Sequence, residues 1–80
     1  MSIRAVKFGA AWCGPCIAVS KQLEGLDIEH IDIDEDIDGL AKEAKIRTIP
    51  TIVFYKDDKE IARHSGLITK NEYLERLEGL

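Results

Sequence analysis

Apolar positions fall along this chain in short blocks whose period switches between two and nearly four, and each switch marks an element. Ile3 to Phe8 is apolar on both alternating faces apart from Arg4 and Lys7, the pattern of a central strand covered from both sides. Gly9-Ala10-Ala11 are small and let the chain turn. A helix is predicted from Ile17 to Glu24, where Cys16, Val19, Ser20 and Leu23 share a face at helical spacing and Gly25 supplies a stop. Ile28 to Ile33 alternates, but Ile31 and Ile33 share their face with Glu29, so only the second half is apolar. It reads as an edge strand paired parallel to the first. The polar run Asp34 to Gly39 leads into a short helix whose Leu40, Ala41 and Ala44 are expected to pack with Ile37. Asp36 is the preferred N-cap and Asp34 its competitor.

Thr51 to Lys56 is rich in β-formers and Ile61 to Ser65 is a second strand, with Asp57-Asp58 between them as a hairpin turn. The last helix has the clearest start. Thr69 and Glu72 make a Thr-x-x-Glu capping box, with Ile68 and Tyr73 at the hydrophobic-staple positions. Tyr73, Leu74, Leu77 and Leu80 form its expected buried face. The order is therefore βαβαββα, an α/β fold, and its strand–helix–parallel strand opening calls for a right-handed crossover.

Composition narrows the classes. Eighty residues, read as one domain over residues 1–80, suffice for a single core. A net charge of −4 without a basic cluster interleaved with aromatics excludes a nucleic-acid backbone site. No apolar run approaches the ~20 residues of a membrane span. The opening Met-Ser-Ile-Arg-Ala-Val has no signal-peptide core, so a cytoplasmic location is expected. There an exposed cysteine pair is catalytic more often than structural.

Both cysteines lie in Trp12-Cys13-Gly14-Pro15-Cys16, between the first strand and the first helix. That junction puts the first sulfur at a helix N-terminus, where free N–H groups and the helix dipole favour a thiolate. Pro15 suits the first turn, where its missing N–H costs nothing. Cys13 is expected to be the exposed, reactive sulfur and Cys16 the shielded one. A thiolate with a second thiol in reach is the minimum for thiol–disulfide exchange. A zinc site would need four ligands, and the remaining soft donors, His30 and His64, fall on separate predicted strands. Asp34-x-Asp36-x-Asp38-Gly39 imitates the start of an EF-hand loop, but its twelfth position is Lys45 instead of glutamate. The run reads as a solvated turn with a helix cap, and no metal is assigned.

Trp12-Cys13-Gly14-Pro15-Cys16 resembles the active-site pentapeptide of the thioredoxin family. Lys45-Ile46-Arg47-Thr48-Ile49-Pro50-Thr51 is similar to that family's cis-proline segment, and Ser65-Gly66-Leu67 to its glycine near the cysteines. The resemblance implies a four-stranded mixed sheet in the order 2-1-3-4 with helices on both faces. The first strand and helix of longer thioredoxins have no counterpart before Val6-Lys7-Phe8, a form resembling short archaeal and phage members. It also implies the roles: Cys13 attacks a target disulfide and Cys16 resolves the mixed disulfide. Trp12, Gly14, Pro15, Ile49, Pro50 and Gly66 would form the docking surface, with Trp12, Pro15 and Lys7 tuning the site. No bound cofactor is implied. The expected partners are thioredoxin reductase and disulfide-containing proteins, ribonucleotide reductase among them, acting on a monomer. A glutaredoxin-like use of glutathione is opposed by Gly14-Pro15 and by Leu67-Ile68 after Gly66; a redox-silent binding subunit is opposed by the cysteine pair itself.

The chain departs from the family pattern at four places. Lys21 stands where a kinking proline is usual, which predicts a straighter helix. Gly9 replaces a second tryptophan, and His30 stands in place of a lysine. Lys7 occupies the position of a buried aspartate. Two readings of Lys7 stand at this level: a partly buried charged ammonium beside the cysteines, or a strand lysine whose head snorkels to water.

Overall fold

The computed structural model describes residues 3–80. β1 (Ile3–Gly9) is followed by α1 (Gly14–Gln22), β2 (Glu29–Asp32), α2 (Leu40–Glu43), β3 (Thr51–Lys56), β4 (Lys59–Ser65) and α3 (Lys70–Glu78). The sheet order is β2-β1-β3-β4. β1 pairs parallel with β2, from Val6 opposite Glu29 to Gly9 opposite Asp32. It pairs antiparallel with β3, placing Val6 opposite Val53 and Lys7 opposite Ile52. β3 and β4 form the expected hairpin, with an irregularity at Phe54/Tyr55. Asp57 and Asp58 both take positive φ (53° and 65°), the twist that a two-residue hairpin turn requires.

The pleat of β1 sorts its side chains between two layers. Ala5 faces α1 and α3 in a cluster with Val19, Leu23, Ile52, Phe54, Ile68 and Tyr73. Val6 and Phe8 face the other way with Val53, covered by Ile31, Ala41, Ala44 and Ile46. Helices thus cover both faces, and β1 is buried on both, as its sequence predicts. The same alternation puts Lys7 on the face of Ala5, under α1. Phe54 and Tyr73 stack with ring centroids 5.7 Å apart.

The capping box of α3 is complete: Glu72 N–H donates to Thr69 Oγ1, and Thr69 N–H to the Glu72 carboxylate. The staple residues Ile68 and Tyr73 are buried in one cluster. Leu74 and Leu80, expected in the buried face, are instead 39% and 40% exposed. Successive helical residues point ~100° apart, so Tyr73 and Leu77 meet the sheet while Leu74 is carried to the rim. Leu80 lies beyond the end of α3.

α1 begins at Gly14, earlier than the apolar spacing suggests, because Cys13 itself is the N-cap. Gly25, with φ of 81°, follows its end. At α2 the formal N-cap is Gly39, in the left-handed region, in place of Asp36. Asp36 still satisfies that end: its two carboxylate oxygens accept from Leu40 N–H (3.0 Å) and Ala41 N–H (2.7 Å). This holds the preceding turn in a shape that points Ile37 outward. Ile37 is 97% exposed, so the expected packing against Leu40, Ala41 and Ala44 does not form.

Candidate active site

The turn between β1 and α1 is closed by Cys13 N–H donating to Ala10 O at 3.2 Å. Cys13 then has extended backbone angles, as an N-cap should, and its Sγ accepts the N–H of Cys16 at 3.2 Å. Pro15 occupies the first turn, where it removes only an N–H that has no helical partner. Cys13 and Cys16 are joined in a disulfide with Cα atoms 5.2 Å apart.

Cys13 is less open than its sequence position suggests. It is 6% exposed and Cys16 2%, because Ala10, Ile33 and Ile49 pack around the pair. Their order of exposure is the expected one. Gly9 fits closely into this packing. A Cβ there would lie 3.2 Å from Cys16 Sγ and 3.3 Å from Lys7 Nζ, so both would have to yield.

Around the disulfide, Trp12 is 69% exposed, and its indole N–H donates to Asp34 at 2.7 Å. Ile49 packs on the cysteines, and the Ile49–Pro50 bond is cis. Gly66, with φ of 92°, donates its N–H to Pro50 O at 2.9 Å. Ile49, Pro50 and Gly66 are thus one connected edge, with Gly14 and Pro15 on the exposed first turn opposite. On the Trp12 side a groove of about 580 Å³ runs between Trp12, α2 and Ile49.

Lys7 lies on the other side, behind Cys16. It is 5% exposed and its Nζ donates to Ser20 Oγ at 2.8 Å. Lys7, Cys16, Ser20 and His30 line one hollow of about 330 Å³. The ammonium is held by Ser20 in place of bulk water, so the snorkelling reading fails. Burial lowers the pKa of Lys7 below the usual 10.5. His30 is likewise lowered, first by burial and then by the positive charge of Lys7.

Three of these partners are not apparent from the sequence. Ser20 sits on the predicted buried face of α1, but only β1–α1 packing brings it to Lys7. Asp34 sits in a turn whose path fixes its bond to Trp12. His30, a strand away in the sequence pattern, shares the hollow with Cys16. The acidic run is occupied by Asp36 at α2 and Asp34 at Trp12. Among the described residues no group of three or more His, Cys, Asp or Glu is placed to hold a metal ion.

A 2-1-3-4 sheet with a disulfide at the β1–α1 turn, facing a cis-proline at the start of β3, defines the thioredoxin-like class. Residues 2–78 match the family model described as Thioredoxin. The chain belongs to the thioredoxin family. It is 36% identical over 78 residues to a thioredoxin of Mycoplasmoides gallisepticum, covering 90% of this chain and 78% of that one. Its fold superimposes on the crystal structure of a Malassezia sympodialis thioredoxin with a TM-score of 0.81 and 27% identity, covering 96% of this chain and 73% of the other. It is also 34% identical over 70 residues to thioredoxin domain-containing protein 2 of Mus musculus, covering 80% of this chain. It spans only 14% of that longer relative.

Proposed function

We propose that this chain is a thiol–disulfide oxidoreductase that reduces protein disulfides through Cys13 and Cys16. The observation that carries this reading is Cys13 Sγ as the cap of α1, accepting the Cys16 N–H, with the second sulfur within bonding reach. Once the bridge is reduced, the cap position favours Cys13 as a thiolate. That thiolate attacks one sulfur of a target disulfide. A Cys13–target bond forms, the target S–S bond breaks, and the released target thiolate takes a proton from solvent. Cys16, deprotonated, then attacks Cys13 Sγ and expels the second target thiolate. Two electrons pass to the target, and the Cys13–Cys16 bond is restored.

Trp12, Gly14, Pro15, Ile49, Pro50 and Gly66 provide the docking surface. Trp12 is held by Asp34, and the Gly66 to Pro50 hydrogen bond supports the opposite edge. Lys7 tunes the dithiol from behind. Disulfide-containing proteins are the substrate class that fits a dithiol bordered by the exposed Trp12 and its groove. Recycling requires a two-electron dithiol donor, for which we assign a thioredoxin reductase, and ribonucleotide reductase is a candidate target. The working form is taken as a cytoplasmic monomer; no helix among the described residues is long and apolar enough to cross a membrane. The test is turnover of a disulfide-bonded protein with dithiothreitol as electron donor. Catalysis well above the rate with dithiothreitol alone is expected. A rate equal to that background would overturn the reading.

A further inference from the structure

The groove beside Trp12 is lined by two cations, Lys42 and Arg47. Its floor is apolar, from Ile46 and Ile49, and Ile49 also packs against the cluster that holds the dithiol. Lys42 and Arg47 line it, both exposed, and neither makes an ion pair among the described residues. Asp36 is the one acidic residue in the lining. Both of its oxygens are bound by the N–H groups of Leu40 and Ala41. Two exposed cations therefore line this groove against one carboxylate that is already committed to backbone N–H groups, in a chain whose net charge is −4, and the other nearby carboxylate, Asp34, is held at the Trp12 rim by the indole N–H.

We propose that this groove selects protein disulfides flanked by an acidic side chain, an inference that rests on the oxidoreductase reading above. An extended segment next to the target cysteine lies along Ile46 and Ile49, and its carboxylate sits between Lys42 and Arg47. Local charge of this kind acts on encounter and orientation more than on the bond-making step. The selectivity therefore belongs in kcat/KM and falls as salt screens it. A basic flanking residue would meet these two cations and be disfavoured.

The experiment compares two disulfide peptides that differ only in an Asp or a Lys beside the cysteine, each reduced by the protein with dithiothreitol as donor. The Asp peptide should be favoured roughly 3–10-fold in kcat/KM at low salt, shrinking toward parity at ~0.5 M salt. The paired substitutions Lys42→Glu and Arg47→Glu, both at exposed positions, should reverse the order. Equal rates for the two peptides in the unaltered protein would overturn the selectivity and leave the oxidoreductase reading standing. Reduction of neither peptide would overturn both. A preference that survives charge reversal would overturn the assignment to this groove.

Discussion

Cys13→Ser should abolish disulfide reduction, lowering kcat/KM by ~10³-fold or more, whereas Cys16→Ser should complete the first half of the reaction and stop there. The asymmetry follows from the helix. Cys13 Sγ receives the Cys16 N–H and lies at the positive end of α1, so its thiolate is the stabilised one. Serine at that position offers a hydroxyl that does not attack sulfur under these conditions. In Cys16→Ser the attacking sulfur and its cap remain, and the resolving thiol is missing. That variant should accumulate as a mixed disulfide with its target, visible as a mass increase that dithiothreitol removes. An unbound Cys16→Ser protein after incubation with disulfide substrate would show that Cys13 does not initiate the exchange.

The second large effect is expected at Lys7. Its ammonium is buried against Ser20 and packs, with Cys16 Sγ, around the same point beside Gly9. A positive charge there stabilises thiolates and so favours the reduced protein. At an effective dielectric near 20 and ~6 Å, the raw attraction is ~3 kcal/mol, of which about a third survives screening and desolvation. About 1 kcal/mol corresponds to about 20 mV for a two-electron couple. Lys7→Met should therefore lower the reduction potential by about 20 mV and raise the pKa of the nearby thiol, read by redox equilibration and by thiolate absorbance.

Burial gives Lys7 a second signature, in the oxidised protein. Its folded pKa lies below the unfolded value near 10.5, so in the window between them the unfolded chain holds the proton that the folded chain has shed. The contribution of Lys7 to stability is thus present above 10.5 and is lost as pH falls through the lowered folded pKa. Lys7→Met should remove that slope from the alkaline stability profile. An unchanged potential together with an unchanged slope would mean that Lys7 is electrostatically silent.

How much of this is legible in the sequence depends on the range of the interactions. β1 and β3 were legible because strand burial is a property of a few adjacent residues, and the α3 start because Thr69 and Glu72 cap each other within one turn. The cysteine pair, Pro50 and Gly66 were legible through the resemblance their motifs carry. Where local pattern failed, a distant partner or a turn decided. Ile37 looked like part of the α2 face, but the carboxylate of Asp36 fixes the turn and sends it into solvent. Leu74 fits a helical stripe, yet α3 meets the sheet through Tyr73 and Leu77. Cys13 reads as exposed because it stands at the start of a helix; Ile33 and Ile49, from two later segments, cover it. The position of the Lys7 head is set only by the packing of β1 on α1, because Ser20 lies thirteen residues away.

The exchange requires Cys13 as the attacking sulfur and Cys16 as the shielded one. Brief alkylation of the fully reduced protein by limiting iodoacetamide at neutral pH, followed by peptide mass mapping, reads this directly. Label is expected on Cys13 well before Cys16; first or predominant labelling of Cys16 would contradict this assignment.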